Sequence, residues 1–135
     1  YTANKDETKS TGNASRGGYR GIPGVASTNF YLDAGDKDKE DIIADIENGF
    51  YVQKVSGLVT GGANPISGEF SVGASGQWIE DGEIKGAVRE ITIAGNLIDF
   101  LKNIVELGND LEFNPAIGSF ASPTFKVDEL AISGK

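Results

Sequence analysis

Four carboxylates, Glu80, Asp81, Glu83 and Glu90, lie close together in this sequence. A pair of carboxylates can serve as general acid and general base. The simpler account is a turn: Asp-Gly at 81–82 sits between two apolar runs, the strongest short-range hairpin signal, with the glutamates flanking it in solvent. A second acidic run, Asp33, Asp36, Asp38, Glu40 and Asp41, has oxygen ligands of the type calcium takes. Lys37 and Lys39 interrupt it, it lacks the EF-hand order, and capping of a following helix explains it more simply. The chain has no His and no Cys. That removes the commonest general base, the commonest zinc ligand, any thiolate ligand, any disulfide and any triad through His. We therefore expect no catalytic residue and no metal ligand in this chain.

The glycine-rich stretches add no phosphate site. Gly61-Gly62, Gly73 and Gly76 lie beside strands, where glycine lets another backbone approach. There is no GxxxxGK[ST], and no GxGxxG that opens a helix. Trp78 lies in an apolar strand and reads as core rather than as a cap over a ligand. Arg89 is placed to pair with Glu83 or Glu90, a contact of small energetic value when exposed. Asn109 and Asp110 read as a turn. Twelve basic against twenty acidic residues give a net charge of −8, so no nucleic-acid partner is expected. No apolar run approaches the length of a membrane span, and no membrane partner is expected. The chain opens at Tyr1 and has no Met, which reads as a piece of a longer protein.

The elements that must position these residues follow from patterning. The length is that of one domain, 1–135. Thirteen Ile and eight Val against seven Leu favour strands. Residues 1–29 read as a long polar, glycine-punctuated loop. Thr28–Leu32 is a short strand, followed by a helix near 37–48 with Ile42, Ile43 and Ile46 on its apolar face and Gly49 as its stop. Phe50–Val59 is a strand, Thr60–Pro65 a turn, and Ile66, Phe70 and Val72 mark a further strand. Gln77–Lys85 is the hairpin. Val88–Ile93 alternates, with Val88, Glu90 and Thr92 on one face and Arg89, Ile91 and Ile93 on the other. Asn96 caps a second helix with Leu97, Ile98, Leu101, Ile104 and Val105 on one face, ended by Gly108. Asp110–Phe113 is a strand, Asn114–Ser122 a loop, and Pro123–Val127 with Leu130–Ile132 a closing strand pair. The expected class is α+β, a mostly antiparallel, curled or barrel-like sheet with two main helices.

Four stretches together resemble the C-terminal domain of the TldD/PmbA family, also called modulator of DNA gyrase. They are KSTGNASRGG (9–18), ISGEFSVGASGQWIEDGEI (66–84), VREITIAGNLIDFLKNIVELGNDLEF (88–113) and PTFKVDELAISGK (123–135). Order and spacing fit over nearly the whole chain, and Ser67 to Asp110 is the most specific part. The resemblance implies a cytoplasmic heterodimer of a zinc-bearing TldD-like subunit and a partner without zinc, which together cut or mature unstructured peptides. In the zinc-bearing sort a Cys in a glycine-rich loop completes the site. The equivalent loop here, around Asn114–Ser122, reads NPAIGSFAS and has no Cys. AGN at 94–96 and the WIEDGEI text resemble the PmbA (TldE) sort.

The reading is a non-catalytic subunit domain, with zinc expected in the partner and no cofactor in this chain. Two alternatives stay open: a self-sufficient peptidase whose zinc lies elsewhere in the parent chain, and a peptide-binding or scaffold module without protease activity. Homo-oligomers are compatible with each. The positions expected to line a peptide chamber or an assembly face are those of the matched glycine-rich motifs: Ser10, Thr11, Gly12 and Asn13; Ser67, Gly68 and Glu69; Gly95 and Asn96; Gly108 and Asn109. Tight turns and close packing are the competing explanation for each.

Overall fold

The computed structural model describes residues 2–113 and 119–134. In chain order the early elements are α1 (Thr2–Lys5), β1 (Ala14–Ser15), β2 (Gly24–Val25), β3 (Phe30–Tyr31) and α2 (Lys39–Ala44). The central ones are β4 (Asn48–Ser56), a wide turn at Leu58–Gly62, β5 (Glu69–Glu80), β6 (Glu83–Asn96) and α3 (Leu97–Lys102). The last are β7 (Ile104–Leu107), β8 (Glu112–Phe113), β9 (Phe120–Ser122), β10 (Phe125–Val127) and β11 (Ala131–Ser133). They form two compact units, one of residues 1–32 with 112–122 and one of 33–111 with 123–135.

The second unit is built on the β5–β6 hairpin, paired from Glu80↔Glu83 at the turn to Glu69↔Asn96 at the open end. Asp81 and Gly82 both have positive φ, 51° and 74°, as a two-residue type I′ turn requires. Their N–H groups donate to the carbonyls of Glu47 (2.8 Å) and Ile46 (2.9 Å), which fastens the turn beside the end of α2. A Cβ at Gly82 would stand 2.6 Å from the Ala44 carbonyl oxygen. β4 and β11 complete an open antiparallel sheet of order β11-β6-β5-β4. Val72, Ala74, Ile91 and Ile93 form its core, with Phe50, Phe70, Val88 and Leu130 packed against them. β7 and β10 pair separately.

The first unit is slighter. β1 pairs with β2, and β3-β9-β8 form a three-stranded sheet in which β3 runs parallel to β9. The expected class, α+β with mostly antiparallel sheets, is the observed one; the sheets are open rather than closed into a barrel.

Several boundaries differ from the patterning. The helix expected near 37–48 spans Lys39–Ala44, because the chain from Asn48 on is drawn into β4, where Asn48 pairs with Glu80 and Gly49 with Ile79. The second helix stops at Lys102. Ile104 and Val105, read as its apolar face, enter β7 instead and pair with β10, where β-branched side chains fit. Alternation in β6 breaks at a bulge. Pairing moves from Ala74↔Ile91 to Gly76↔Val88, so Arg89 and Glu90 stand opposite Ser75 alone, and Glu90 has φ 58°. Val88 thereby joins the face of Ile91 and Ile93, contrary to strict alternation. Ile66 lies in a turn, ahead of the strand it was expected to mark. The two closing strands do not pair with each other; β10 pairs with β7 and β11 with β6. Residues 1–29 contain α1, β1 and β2 rather than an unbroken loop.

Ile79 is 1% exposed and Ile84, its partner across the turn, is 44% exposed. Ile79→Ala should lower unfolding free energy by about 2–5 kcal/mol, and Ile84→Ala by under about 1 kcal/mol. Urea titration followed by far-UV circular dichroism measures both.

Candidate functional site

The matched motifs at 67–69 and 95–96 meet at the open end of the β5–β6 hairpin. Strand pairing sets Glu69 opposite Asn96 and Phe70 opposite Gly95. The Asn96 side chain does two jobs. Its Oδ1 accepts from the Ile98 N–H at 2.9 Å, capping α3, and its Nδ2 donates to the Ser67 carbonyl at 3.0 Å. The Leu97 N–H donates to the Gly68 carbonyl at 2.8 Å. Gly68 has φ 77°, and a Cβ there would stand 3.3 Å from the Asn96 amide. Ser67 Oγ donates to Glu69 Oε2 at 3.3 Å and accepts from the Glu69 N–H at the same distance. Beside this knot runs a shallow groove of about 450 Å³ along the ends of β6 and β11, lined by the apolar Ala94, Gly95, Phe100, Leu130 and Ala131 and the polar Asn96, Asp99, Asn103 and Glu129. Of the expected positions, Glu69, Gly95 and Asn96 line this groove or the shallow depression adjoining it, and Ser67 and Gly68 brace it from the 67–68 turn.

Gly108 and Asn109 form a different corner of the same unit. The Gly108 N–H donates to the Thr124 carbonyl (2.7 Å) and its carbonyl accepts from the Gly35 N–H (2.8 Å). The Asn109 N–H donates to the Lys37 carbonyl (2.9 Å), and its side chain donates to Asp38 Oδ1 (2.6 Å). Asp38 occupies the N-cap position of α2 without a side-chain capping bond; its carboxylate is spent on Asn109. Asp110 accepts from both the N–H and the hydroxyl of Thr124, each at 2.7 Å. Partial burial pushes the Asp110 carboxyl up, but the Thr124 bonds outweigh it and hold it below the usual carboxylate range. These residues clamp the 35–38 segment onto the end of β7. They lie outside the groove.

Ser10, Thr11, Gly12 and Asn13 belong to the first unit and are exposed. Their polar contacts are local: the Gly12 N–H to Ser10 Oγ at 3.4 Å, and Asn13 Nδ2 to Thr11 Oγ1 at 3.1 Å. The Asn13 carbonyl accepts from the Ala26 N–H at 2.9 Å, closing the β1–β2 ribbon.

The carboxylates near the hairpin are structural. Asp81 makes the turn, Glu90 the bulge, and Glu83 pairs with Lys85 at 2.6 Å. That hydrogen bond lowers the Glu83 carboxyl and raises the Lys85 amine. Among the described residues Arg89 makes no ion pair with Glu83 or Glu90, because Lys85 takes the one and the bulge turns the other. Trp78 is half-buried, 6.2 Å from Phe50 between ring centroids. Sequence patterning missed one cluster. Lys37 Nζ donates to Asp45 (2.9 Å) and Glu106 (2.6 Å), and these bonds raise its pKa. Glu106 is 69 positions from Lys37, so no local signal could have joined them.

The pattern of the PmbA/TldA metallopeptidase C-terminal domain matches residues 1–134. The chain belongs to this family. It is 38% identical over 129 residues to the metalloprotease PmbA of Escherichia coli O157:H7, covering 94% of this chain and 26% of that protein. It is 30% identical over 139 residues to a metalloprotease TldD homolog of Buchnera aphidicola from Schizaphis graminum, covering 94% and 28%. A crystal structure from Thermotoga maritima, assigned as a modulator of a DNA gyrase, superposes with a TM-score of 0.82 at 37% identity, over 98% of this chain and 28% of that one. TldE from Thermococcus kodakarensis superposes at 0.77 with 30% identity, over 98% and 29%. The chain thus spans between a quarter and a third of each relative's length.

A metal does not fit the residues this PmbA/TldA domain offers. It has no His or Cys, and among the described residues no group of three or more His, Cys, Asp or Glu is placed to hold an ion. Of the segment expected to be a loop, Asn114–Ser122, Phe120–Ser122 form β9 instead, since they pair with β3 and β8, and residues 114–118, NPAIG, lie outside the described residues.

Asn96→Ala should cost about 1–2 kcal/mol of stability, since a cap and a loop tie are lost together. Asn96→Asp, which keeps the cap acceptor, should cost less; urea titration of both checks this. Asp110 is depressed when folded, so its contribution is complete above the unfolded carboxylate value and is lost as pH falls through the folded one. The melting temperature of Asp110→Asn should therefore fall less than that of the parent on acidification below about pH 4. Thermal melts from neutral to acid pH measure the difference.

Proposed function

We propose that this chain is the C-terminal domain of the non-catalytic subunit of a heteromeric zinc peptidase. A TldD-like paralogue carries the zinc, and the two together degrade or mature unstructured peptides in the cytoplasm. One observation carries the reading: a metallopeptidase-family domain whose own sequence has neither His nor Cys. A subunit of this kind can contribute through shape. It walls a chamber, excludes water and holds a substrate segment in register with a reacting centre supplied by the other subunit.

The groove at the hairpin's open end suits that work. Ala94, Gly95 and Ala131 leave it room, and Phe100 and Leu130 add apolar surface beside them. β11 is the edge strand of the four-stranded sheet, so its outer backbone groups are available to an extended chain.

Hydrolysis of an unstructured peptide by the paralogue, by the full-length protein containing this domain, and by both together tests the proposal. Cleavage that needs both and stops on chelation is the expected result. Chelator-sensitive cleavage by this protein alone would put the metal in another part of it and overturn the reading. Cleavage in none of the mixtures would favour the peptide-binding or scaffold reading.

A further inference from the structure

Helix α3 turns three sides to three different surroundings. Its Phe100 is half-buried and stands edge-on to Phe70 and to Phe125, at 5.8 Å between ring centroids in each pair. Asp99 and Asn103 line the candidate groove. The third side is apolar and left in water: Leu97, Ile98 and Leu101 are 51%, 59% and 55% exposed.

Helix geometry gathers these three. At about 100° per residue, Leu97, Leu101 and Ile98 stand about 60°, 100° and 160° around the axis from Phe100, with Lys102 and Asp99 beyond them at about 200° and 260°. No charged residue interrupts the aliphatic arc. Ile66, 96% exposed, belongs to the turn to which the start of the helix is tied, where Asn96 Nδ2 donates to the Ser67 carbonyl and the Leu97 N–H to the Gly68 carbonyl. A helix ordinarily turns its apolar stripe to the core. Here one ring serves the core, and three aliphatic side chains on one arc stay outside it. Contiguous exposed apolar surface of this kind marks a contact surface.

We infer that the Leu97–Leu101 face of α3, with Ile66 beside it, is the surface on which the rest of the full-length protein, outside residues 1–135, docks. Size decides the occupant. One side of a stable interface between separate molecules takes about 20–30 residues. Four aliphatic side chains on a six-residue helix and one turn fall far short of that. A partner in the same polypeptide does not need the area, because the tether holds it at an effective concentration of about millimolar. There is chain enough to supply it, since this domain matches between a quarter and a third of each relative's length. The uncharged arc also suits the centre of a lasting contact, which is depleted of charged residues. The same contact braces one wall of the candidate groove, because Asp99 and Asn103 ride on the helix it holds. The inference rests on family membership and not on the peptidase reading.

Photo-crosslinking in the full-length protein is the test. The photoreactive p-benzoylphenylalanine replaces Ile98, and separately Leu101, and the protein is irradiated alone and with the zinc-bearing paralogue. Denaturing electrophoresis separates products of single-chain mass from larger ones, and mass spectrometry maps the joined peptides. Single-chain products joined to residues outside this domain are expected from both positions. Products of doubled mass in their place, products with the paralogue alone, cross-links confined to residues 1–135, or no cross-link would each overturn the inference. The variant L97S/I98S/L101S keeps Asn96 and Phe100, and with them the cap and the aromatic packing. In the full-length protein its amide hydrogen exchange over residues 97–103 should quicken by about tenfold or more, while exchange in β5 and β6 stays at the parent rate. Exchange over 97–103 that stays at the parent rate would also overturn the inference.

Discussion

The second unit depends on the pairing of two long strands, whose register shifts twice, between Ala74 and Gly76 and between Trp78 and Ile79. β5 and β6 are twelve and fourteen residues long, and strict alternation along β6 would turn Val88 away from the face of Ile91 and Ile93. Arg89 and Glu90 opposite Ser75 correct the phase. With that correction Val88, Ile91 and Ile93 share a face with Val72 and Ala74, and the core closes. Gly76, next to the bulge, has no room for a Cβ, which would run into the Tyr51 carbonyl oxygen. The third strand, β4, can approach only because that position is glycine.

The fastening of α2 and the candidate groove lie at the two ends of this hairpin. At the closed end the Asp81-Gly82 turn donates two hydrogen bonds to the chain leaving α2. At the open end Asn96 finishes β6, caps α3 and holds the 67–68 turn, all with one amide. The groove is a consequence: small residues at 94, 95 and 131 are left between α3 and the edge strand. Gly95 is part of the packing as well, since a Cβ there would stand 3.0 Å from Leu130 and 3.4 Å from Phe70. The positions proposed to line a chamber, 67–69 and 95–96, therefore also hold the local structure together. At 108–109 the contacts are those of a clamp.

Local chemistry was legible where it acts locally. The Asp-Gly turn, the Asn96 cap and the antiparallel character could be read from spacing and residue type. What could not be read were competitions settled by distant residues. Ile104 and Val105 continue a helical periodicity, yet their backbone finds strand partners in β10, whose sequence lies some twenty residues on. The helix expected at 37–48 is cut short because Asn48 pairs with Glu80 in β5, a residue no local pattern connects with it. Glu90 gives no sign in sequence that it takes a positive φ; only pairing with β5 forces it. Of the candidate positions, five gather at the groove and its bracing turn, two form a clamp and four lie in the other unit. Motif matching named these positions together and gave no sign that they fall into three separate places.

The chain has carboxylates in number but not in constellation. Glu83, Asp45 and Glu106 answer lysines, Asp38 and Asp110 answer hydrogen-bond donors, and Asp81 and Glu90 shape the backbone. The central claim is that this domain shapes a site without holding its metal. Zinc content measured by mass spectrometry, after dialysis of the purified chain against metal-free buffer and then against buffer with zinc, tests it most directly. The account predicts far less than one zinc per chain in either case. One tightly held zinc per chain, released by a chelator, would contradict it.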